Sequence, residues 1–306
     1  MTRLTRFLTA ASALGLSSWL PVALGATESR GCFDNDNKPP VLGPGDVVKS
    51  NVTINGKQRD FYVRRPRGYN STHPYKLIFT FHALGGTAEE VVAGEGEYLA
   101  WYGLPDQDDS AAETETAIYV AAQGLKNPDE FDGQLTGWAN VDGEDLDFVD
   151  AIVDIVEEDL CVDQEHRYST GFSYGGAMSY ALACDRSFLF RAIAVLSGGP
   201  MSGCAAGTQP VAFYGQHGVS DNVLPMDLGR EVRDRFVKNN GCTAREAPEP
   251  APGDGIRKKT VYEDCTHPTV FVAFDGDHTA KPKDAGANQT FAAEETWSFF
   301  SQFAQT

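Results

Sequence analysis

Basic side chains are scarce in this 306-residue sequence. It has 25 lysines and arginines against 43 aspartates and glutamates, which gives a formal net charge of −18 at pH 7. Nucleic-acid binding needs clustered cations that neutralise phosphates, and anionic membrane surfaces repel a chain of this charge. We therefore expect neither nucleic acid nor a membrane as a partner, and we interpret the acidic excess as a contribution to solubility.

Several motifs that indicate a cofactor are also missing. The sequence has no H-E-x-x-H, no phosphate-binding P-loop and no G-x-G-x-x-G after a predicted strand, and none of its cysteines lies in a C-x-x-C pair. No metal, nucleotide or other cofactor is therefore implied. Internal repeats and Ser/Thr-rich linkers are lacking as well, so no appended carbohydrate-binding module is expected.

Long apolar runs are confined to the N-terminus. Two arginines precede the apolar residues 7–24, and small residues have the spacing of a cleavage site after Gly25. This pattern predicts a signal peptide over residues 1–25, followed by one catalytic domain over residues 26–306. A membrane anchor is the alternative, and polar interruptions such as Pro21 argue against it.

The cysteine and glycosylation patterns agree with secretion. An even number of cysteines most simply forms disulfides in an oxidising compartment, and six of them allow fifteen pairings. The cysteines are Cys32, Cys161, Cys184, Cys204, Cys242 and Cys265, and N-glycosylation sequons place acceptors at Asn51, Asn70 and Asn288. We expect a secreted, extracellular glycoprotein that is a monomer.

Short apolar runs alternate with amphipathic stretches through the middle of the chain, which is typical of a parallel sheet covered by helices. Strands are predicted at residues 77–81, 117–121, 168–170, 192–196, 211–214 and 270–274, with helices before Cys161, at 228–237 and at the C-terminus. The expected fold class is α/β, as one domain with a mostly parallel central sheet flanked by helices.

The sequence Gly171-Phe172-Ser173-Tyr174-Gly175 matches the G-x-S-x-G pattern of a nucleophilic serine. Such a serine sits on a sharp strand-to-helix turn, and glycines on both sides allow the backbone to approach closely. A predicted strand precedes the motif and a predicted helix follows it, which is the context that the motif requires. Ser173 is therefore the predicted nucleophile, and the alternative is a glycine-rich turn with an incidental serine.

A serine nucleophile needs a histidine base, and the fold of this motif places the residues in the order serine, acid, histidine. His278 follows the last predicted strand, at the edge where α/β sheets carry catalytic groups, and is the predicted base. A solvated loop histidine is the alternative. His267 precedes that strand and belongs at the opposite edge, and we interpret His217 as a residue that braces a loop.

The catalytic acid is expected in the loop after the penultimate predicted strand. Asp221 lies in that loop and is predicted to orient His278. Asp227 begins the next predicted helix, where a capping role is simpler. Asp275 and Asp277 are too near His278 in the chain to form the orienting hydrogen bond easily.

The oxyanion of the tetrahedral intermediate needs preorganised N–H donors. The backbone N–H of Tyr174, directly after the nucleophile, is expected to be one of them. We assign the second to the N–H of Leu84, in the loop after the strand at 77–81, and a plain glycine turn is the alternative.

The connection at residues 124–145 is long for a compact domain, so it is predicted to be functional or mobile. Trp138 lies within it. Its indole either flanks the cleft and binds substrate by stacking on an aromatic or sugar ring, or belongs to the core. The sequence favours neither role.

These motifs together resemble those of the fungal feruloyl esterases of carbohydrate esterase family 1, close to types C and D. The matching stretches are residues 137–140, 143–145, 170–176, 216–218, 220–221, 233–237, 239–242 and 276–278. The family's nucleophile, acid and base fall on Ser173, Asp221 and His278. One departure is Ala83, where related esterases often carry glycine after the histidine, and it bears on the second oxyanion donor.

The resemblance implies a secreted serine esterase of the α/β-hydrolase superfamily. Its expected reaction releases ferulate from feruloyl (hydroxycinnamoyl) esters on cell-wall arabinoxylan, with xylan as the binding partner. Acetylated xylan, polyhydroxyalkanoate polyesters and tannins are alternative substrates for the same residues. From another class, a non-catalytic secreted glycoprotein that binds polysaccharide is the alternative. The disulfides expected are Cys32–Cys161, Cys184–Cys204 and Cys242–Cys265.

Overall fold

A computed structural model of the chain describes residues 27–33, 42–43, 45–111, 116–127, 131–204 and 207–303. The predicted signal peptide, residues 1–25, lies outside this part of the chain. Among the described residues, no helix is both long and apolar enough for a membrane span.

The described residues alternate strands and helices. The strands are β1 (Val47–Ile54), β2 (Lys57–Arg64), β3 (Tyr75–Phe81), β4 (Ala117–Ala122), β5 (Leu125–Lys126), β6 (Thr136–Gly137), β7 (Val162–Phe172), β8 (Ala192–Leu196), β9 (Ala212–Gly218), β10 (Arg257–Val261) and β11 (Thr269–Phe274). The helices are α1 (Ala88–Ala93), α2 (Leu104–Ala111), α3 (Glu144–Asp159), α4 (Tyr174–Asp185), α5 (Met226–Asn239) and α6 (Ala292–Ser301). Short 3₁₀ turns lie at Arg30–Cys32, Ala100–Gly103, Phe131–Gly133 and Val141–Gly143.

One nine-stranded sheet organises the fold, in the order β1-β2-β4-β3-β7-β8-β9-β11-β10. Its neighbours from β4 to β11 are parallel, whereas β1, β2 and β10 pair antiparallel at the two edges. The short strands β5 and β6 form a separate ribbon. The prediction of a mostly parallel sheet flanked by helices is confirmed.

Central strands are buried on both faces, which is why they appear in the sequence as continuous apolar runs. Every residue of β3, β4 and β8 is buried. Strand β1 instead alternates exposed and half-buried residues and turns into β2 at Asn55-Gly56, where both residues have positive φ. The sequence prediction omitted this hairpin, although Asn-Gly is a typical hairpin turn.

Helices cover both faces of the sheet with apolar side chains. On one face, Ile78 and Tyr119 pack with residues of α1 and α6. On the other, Leu77 and Phe79 pack with α3 and α4, and Phe213 packs with α5 through Phe236. This two-sided core fixes the strands whose carboxyl ends carry the site.

Three disulfides join the six cysteines in the expected pairs, Cys32–Cys161, Cys184–Cys204 and Cys242–Cys265. The first ties the N-terminal segment to the residue before β7. The second ties the end of α4 to the segment after β8, and the third closes the stretch that contains β10.

Candidate active site

Ser173 occupies a strained turn between β7 and α4. Its backbone has φ 56° and ψ −118°, a combination that non-glycine residues adopt only when the surroundings enforce it. A Cβ on Gly171 would overlap the backbone of Gly175, and a Cβ on Gly175 would overlap the carbonyl oxygen of Phe81. The two glycines of the motif are therefore required by close approach of the backbone, as the pattern predicts.

Asp221 and His278 are joined by a hydrogen bond at the same edge of the sheet. His278 Nδ1 lies 2.7 Å from Asp221 Oδ2, on loops that follow β11 and β9 respectively. The other carboxylate oxygen accepts the backbone N–H groups of Val223 and Leu224 at 3.0 and 2.8 Å. A proton on Nδ1 satisfies the carboxylate and leaves the Nε2 of His278 as the basic nitrogen.

Hydrogen bonding keeps the Asp221 carboxylate charged. Burial by itself would raise the pKa of Asp221, but the hydrogen bond from His278 and the backbone N–H groups of Leu224 and Val223 outweigh it and lower the pKa below the usual value. The side chain is therefore ionised at neutral pH, which is the state that stabilises an imidazolium.

His278 contacts the residue directly before Ser173. The imidazole of His278 packs on the ring of Phe172, with 4.6 Å between the centroids. Within the described residues, no hydrogen bond links the Ser173 hydroxyl to His278 in this geometry. Catalytic hydrogen bonds are often long before substrate binds. The missing hydrogen bond therefore does not exclude proton transfer from Ser173 to His278.

Asp277 links the loop of Asp221 to the loop of His278, a contact that the sequence prediction missed. Its Oδ1 accepts the backbone N–H of Asn222 at 3.0 Å and that of His278 at 2.8 Å. Its Oδ2 accepts the Asn222 side-chain amide at 2.7 Å. The carboxylate next to His278 therefore holds together the two loops that carry Asp221 and His278.

His217 braces the acid loop from the end of β9, so the predicted bracing role agrees with its contacts, although it lies in a strand. Its Nε2–H donates to the carbonyl oxygen of Leu224 at 2.7 Å and lies 3.4 Å from Asp221 Oδ2. Burial lowers the pKa of His217. Helix α5 packs so closely that a Cβ on Gly229 would lie 2.5 Å from the His217 ring.

The backbone N–H groups of the loop after β3 differ in whether they have an acceptor. Ala83 N–H donates to the Tyr98 hydroxyl, Gly85 N–H to the Thr136 carbonyl and Gly86 N–H to the Ala83 carbonyl, at 2.8, 2.7 and 3.1 Å. Leu84 N–H has no acceptor among the described residues. Ala83 is not among the residues with positive φ, so its backbone conformation does not require glycine.

His82 is buried and neutral and anchors this loop, a role that no sequence pattern predicted. Its Nε2 accepts the backbone N–H of Gly124 at 2.9 Å, and its Nδ1 lies 2.7 Å from the Ala83 carbonyl oxygen. Complete burial lowers the pKa of His82 from 6.5 to about 4. The only local signal was its position at the end of a buried strand.

Trp138 belongs to the core, so of the two roles that the sequence left open, the core role is right and substrate stacking is wrong. Its side chain is fully buried, and its ring lies edge-on to Phe81 with 5.0 Å between the centroids. Its indole N–H donates to the carbonyl oxygen of His82 at 2.8 Å. The indole thus supports the loop after β3 from below, and no substrate ring can reach it.

Large apolar side chains are exposed around the carboxyl edge of the sheet. They are carried by segments that follow β4, β8 and β9, and one of them lies against the loop after β3, where a Cβ on Gly85 would contact it at 3.4 Å. We call this set the apolar rim: Leu135, Val141, Met201 and Val223. Exposed apolar side chains beside polar groups are typical of a site that binds an apolar ligand.

The chain is similar in sequence to fungal feruloyl esterases. It is 45% identical to feruloyl esterase D of Neurospora crassa over 309 residues, covering 99% of this chain and 98% of the relative. It is 43% identical to a probable feruloyl esterase C of Aspergillus terreus, covering 98% and 99%. Feruloyl esterase C of Emericella nidulans is 45% identical, covering 85% and 90%. No family model matches the chain.

Solved structures of lower sequence identity share the fold. A CE1 ferulic acid esterase from Anaeromyces mucronatus, in complex with ferulic acid, has a TM-score of 0.55 at 14% identity and covers 87% of this chain and 92% of its own. An acetyl xylan esterase from Aspergillus awamori has a TM-score of 0.59 at 14% identity, covering 83% and 98%. At this identity they show the α/β-hydrolase fold alone.

Proposed function

The chain belongs to the feruloyl esterases of types C and D, a family of carboxylic ester hydrolases, and we propose that it releases ferulate from arabinoxylan with Ser173 as its nucleophile. The observation that carries this proposal is the hydrogen bond between His278 and Asp221 at the edge where the strained turn holds Ser173. Three residue types in the required order on three neighbouring loops have the composition of a catalytic triad.

In the acylation step, Ser173 Oγ attacks the ester carbonyl carbon while the Nε2 of His278 accepts the hydroxyl proton. Asp221 holds the imidazole by Nδ1 and stabilises its positive charge. The resulting imidazolium then donates the proton to the arabinose oxygen as the ester bond breaks. Ferulate is left esterified to Ser173.

Deacylation uses the same groups in reverse. Water replaces the sugar, His278 accepts its proton, and the hydroxide attacks the acyl carbon. The Ser173 oxygen leaves with the proton from His278, and ferulate is released.

The two oxyanion donors of this proposal are the backbone N–H groups of Tyr174 and Leu84. Tyr174 begins α4 directly after Ser173, so its N–H lies at the positive end of the helix dipole. Leu84 N–H is supported by elimination, because the hydrogen bonds of Ala83, Gly85 and Gly86 occupy the other N–H groups of residues 83–86.

Replacement of the nucleophile tests the mechanism. Ser173→Ala should lower kcat for methyl ferulate by about a million-fold, because the acyl-enzyme can no longer form. The matched control is Ser298→Ala, which removes an exposed hydroxyl from α6 and should leave kcat unchanged. Near-normal turnover by Ser173→Ala would contradict the mechanism. Failure of a fluorophosphonate to label Ser173 in the wild-type chain would favour a non-catalytic polysaccharide-binding role.

The apolar rim favours an aromatic acyl group over acetyl, because an acetyl group is too small to cover several exposed apolar side chains. We expect kcat/KM for methyl ferulate to exceed that for acetylated xylan by at least about 100-fold. Rates on methyl caffeate, sinapate and p-coumarate then rank the hydroxycinnamates. Faster hydrolysis of acetylated xylan or of a polyester would assign the same residues to that substrate.

We also propose that residues 26–306 act as a secreted, monomeric glycoprotein after removal of residues 1–25. Two observations support this: disulfides are typical of oxidising compartments, and all three sequon asparagines are exposed. N-terminal sequencing of culture supernatant, a mass shift on deglycosylation and sedimentation analysis test the three parts. An N-terminus upstream of Gly25 in the secreted protein would contradict the first part.

A further inference from the structure

We propose that Tyr98 and Tyr102 are positioning residues that set the distance between the two oxyanion donors. This inference rests on the proposed function, since it concerns the geometry of the same site. Neither tyrosine is assigned a role by the predicted triad. Both reach the site from the segment between α1 and α2.

The Tyr102 hydroxyl joins two neighbouring strands where they separate. It donates to the carbonyl oxygen of Phe81 at 2.6 Å and accepts the backbone N–H of Phe172 at 3.0 Å. These are the last residues of β3 and β7, and Phe81 pairs with Gly171 in the parallel ladder. One phenol therefore replaces the next backbone hydrogen bond, where the ladder cannot continue.

Both oxyanion donors follow directly from the residues that Tyr102 holds. Leu84 comes three residues after Phe81, and Tyr174 comes two residues after Phe172. The Tyr102 phenol thus fixes the ends of β3 and β7 relative to each other, just before the chain reaches the Leu84 and Tyr174 N–H groups. A small change in their separation at this point changes the distance between the donors.

Tyr98 fixes the loop one residue before Leu84. Its hydroxyl accepts the Ala83 N–H at 2.8 Å, and its ring lies edge-on to that of Tyr102, with 5.6 Å between the centroids. This hydrogen bond turns the Ala83 N–H away from the oxyanion and orients the following peptide, whose N–H belongs to Leu84. The hydroxyl also fills the space beside Gly86, where a Cβ would lie 2.8 Å from it.

A strained backbone places the Tyr102 hydroxyl between Phe81 and Phe172. Trp101, Tyr102 and Gly103 have φ values of 51°, 60° and 74°, all left-handed. Bulky side chains rarely adopt this conformation, and it persists where surrounding contacts enforce it, which is most common at functional sites. Burial of Trp101 and Tyr102 in the core supplies those contacts.

Removal of single hydroxyl groups tests the proposal. Tyr102→Phe should lower kcat for methyl ferulate by about 30-fold and Tyr98→Phe by about fivefold, with KM within about twofold, because a displaced donor weakens transition-state binding alone. The matched control is Tyr69→Phe. Its hydroxyl accepts the backbone N–H of Cys161 at 2.7 Å, at the opposite end of β7. That variant should lose thermal stability and keep kcat.

Binding of two ligands separates positioning from general stability. A phenylboronic acid forms a tetrahedral adduct with the serine that uses the oxyanion donors, whereas free ferulate does not form such an adduct. Tyr102→Phe should weaken the boronate inhibition constant by the same factor as kcat/KM and leave the ferulate dissociation constant unchanged. Wild-type kcat and wild-type boronate affinity in the folded variant would overturn the proposal.

Two further outcomes are decisive. If Tyr102→Phe does not fold, Tyr98→Phe decides: a reduced kcat with unchanged KM supports the positioning role, and wild-type values overturn it. Failure of the proposed function is distinguishable, because the wild-type chain itself would then show no boronate inhibition and no turnover of methyl ferulate.

Discussion

The two ends of β7 differ in how their backbone is held. At the amino end, the disulfide Cys32–Cys161 joins the strand to the N-terminal segment. There the Ser29 hydroxyl donates to the Leu160 carbonyl at 2.7 Å and accepts the Val162 N–H at 2.8 Å. At the carboxyl end, the same strand leads into the strained Ser173 turn. There the Phe172 N–H donates to the hydroxyl of Tyr102, whose backbone has positive φ. One end is thus fixed by covalent and hydrogen bonds, and the other carries backbone strain, which is common where a site departs from local preference.

Disabling the proposed acid, Asp221, at the carboxyl end should have the largest effect on activity. Asp221→Asn preserves the shape of the side chain but lets His278 adopt the wrong tautomer, so kcat should fall by about 10⁴-fold. The matched control is Asp227→Asn, an exposed side chain in the first turn of α5 that contacts Arg230. Steady-state kinetics on methyl ferulate provides the measurement. A decrease of less than about tenfold in Asp221→Asn would indicate another acid.

Removing the covalent tie at the amino end should affect stability and spare chemistry. Replacing Cys32 and Cys161 together by serine opens a loop of 129 residues, and the free energy of unfolding should fall by about 4 kcal/mol. Denaturant titration measures this change, and kcat at a temperature where the variant is folded should stay within about twofold of wild type. A large decrease in kcat with unchanged stability would show that the two ends do not divide these roles.

His82 links stability to pH at the carboxyl end. The unfolded chain binds a proton on this side chain near pH 6.5, whereas the folded chain binds it only near the lowered pKa of about 4. The free energy of unfolding should therefore decrease as pH falls from about 6.5 to 4, by about 3 kcal/mol in total from this residue. His82→Gln removes that component. Denaturation of both proteins across this range tests it, and parallel curves would contradict it.

Local patterns predicted most of the fold and named the three residues of the proposed triad. The strand at residues 192–196 and the order of Ser173, Asp221 and His278 follow from apolar runs and from one motif, both of which depend on neighbours in the chain. The helices α1 and α2 and the edge strand β10 were missed, because their patterns are short or weakly apolar.

Residues whose roles depend on distant contacts were not predictable. Trp138 lies under the loop after β3 because Phe81 and His82 pack there, and no local pattern distinguishes that position from an open cleft. Trp101 and Tyr102 likewise have left-handed backbones. Neither position is a glycine or an asparagine, the residues from which such a conformation is predicted. Positive φ at bulky residues is a tertiary effect.

The loop after β3 is part of a larger unit, and this restricts the design of chimeric enzymes. Thr136 binds two adjacent residues of the turn: its carbonyl oxygen accepts the Gly85 N–H at 2.7 Å, and its hydroxyl donates to the Gly86 carbonyl oxygen at 2.6 Å. Trp138 binds the His82 carbonyl oxygen, and Tyr98 binds the Ala83 N–H, just before these glycines. A graft of this turn from a relative must therefore include both companion segments, the one around Tyr98 and residues 136–138, since the turn alone would lack the partners that shape it.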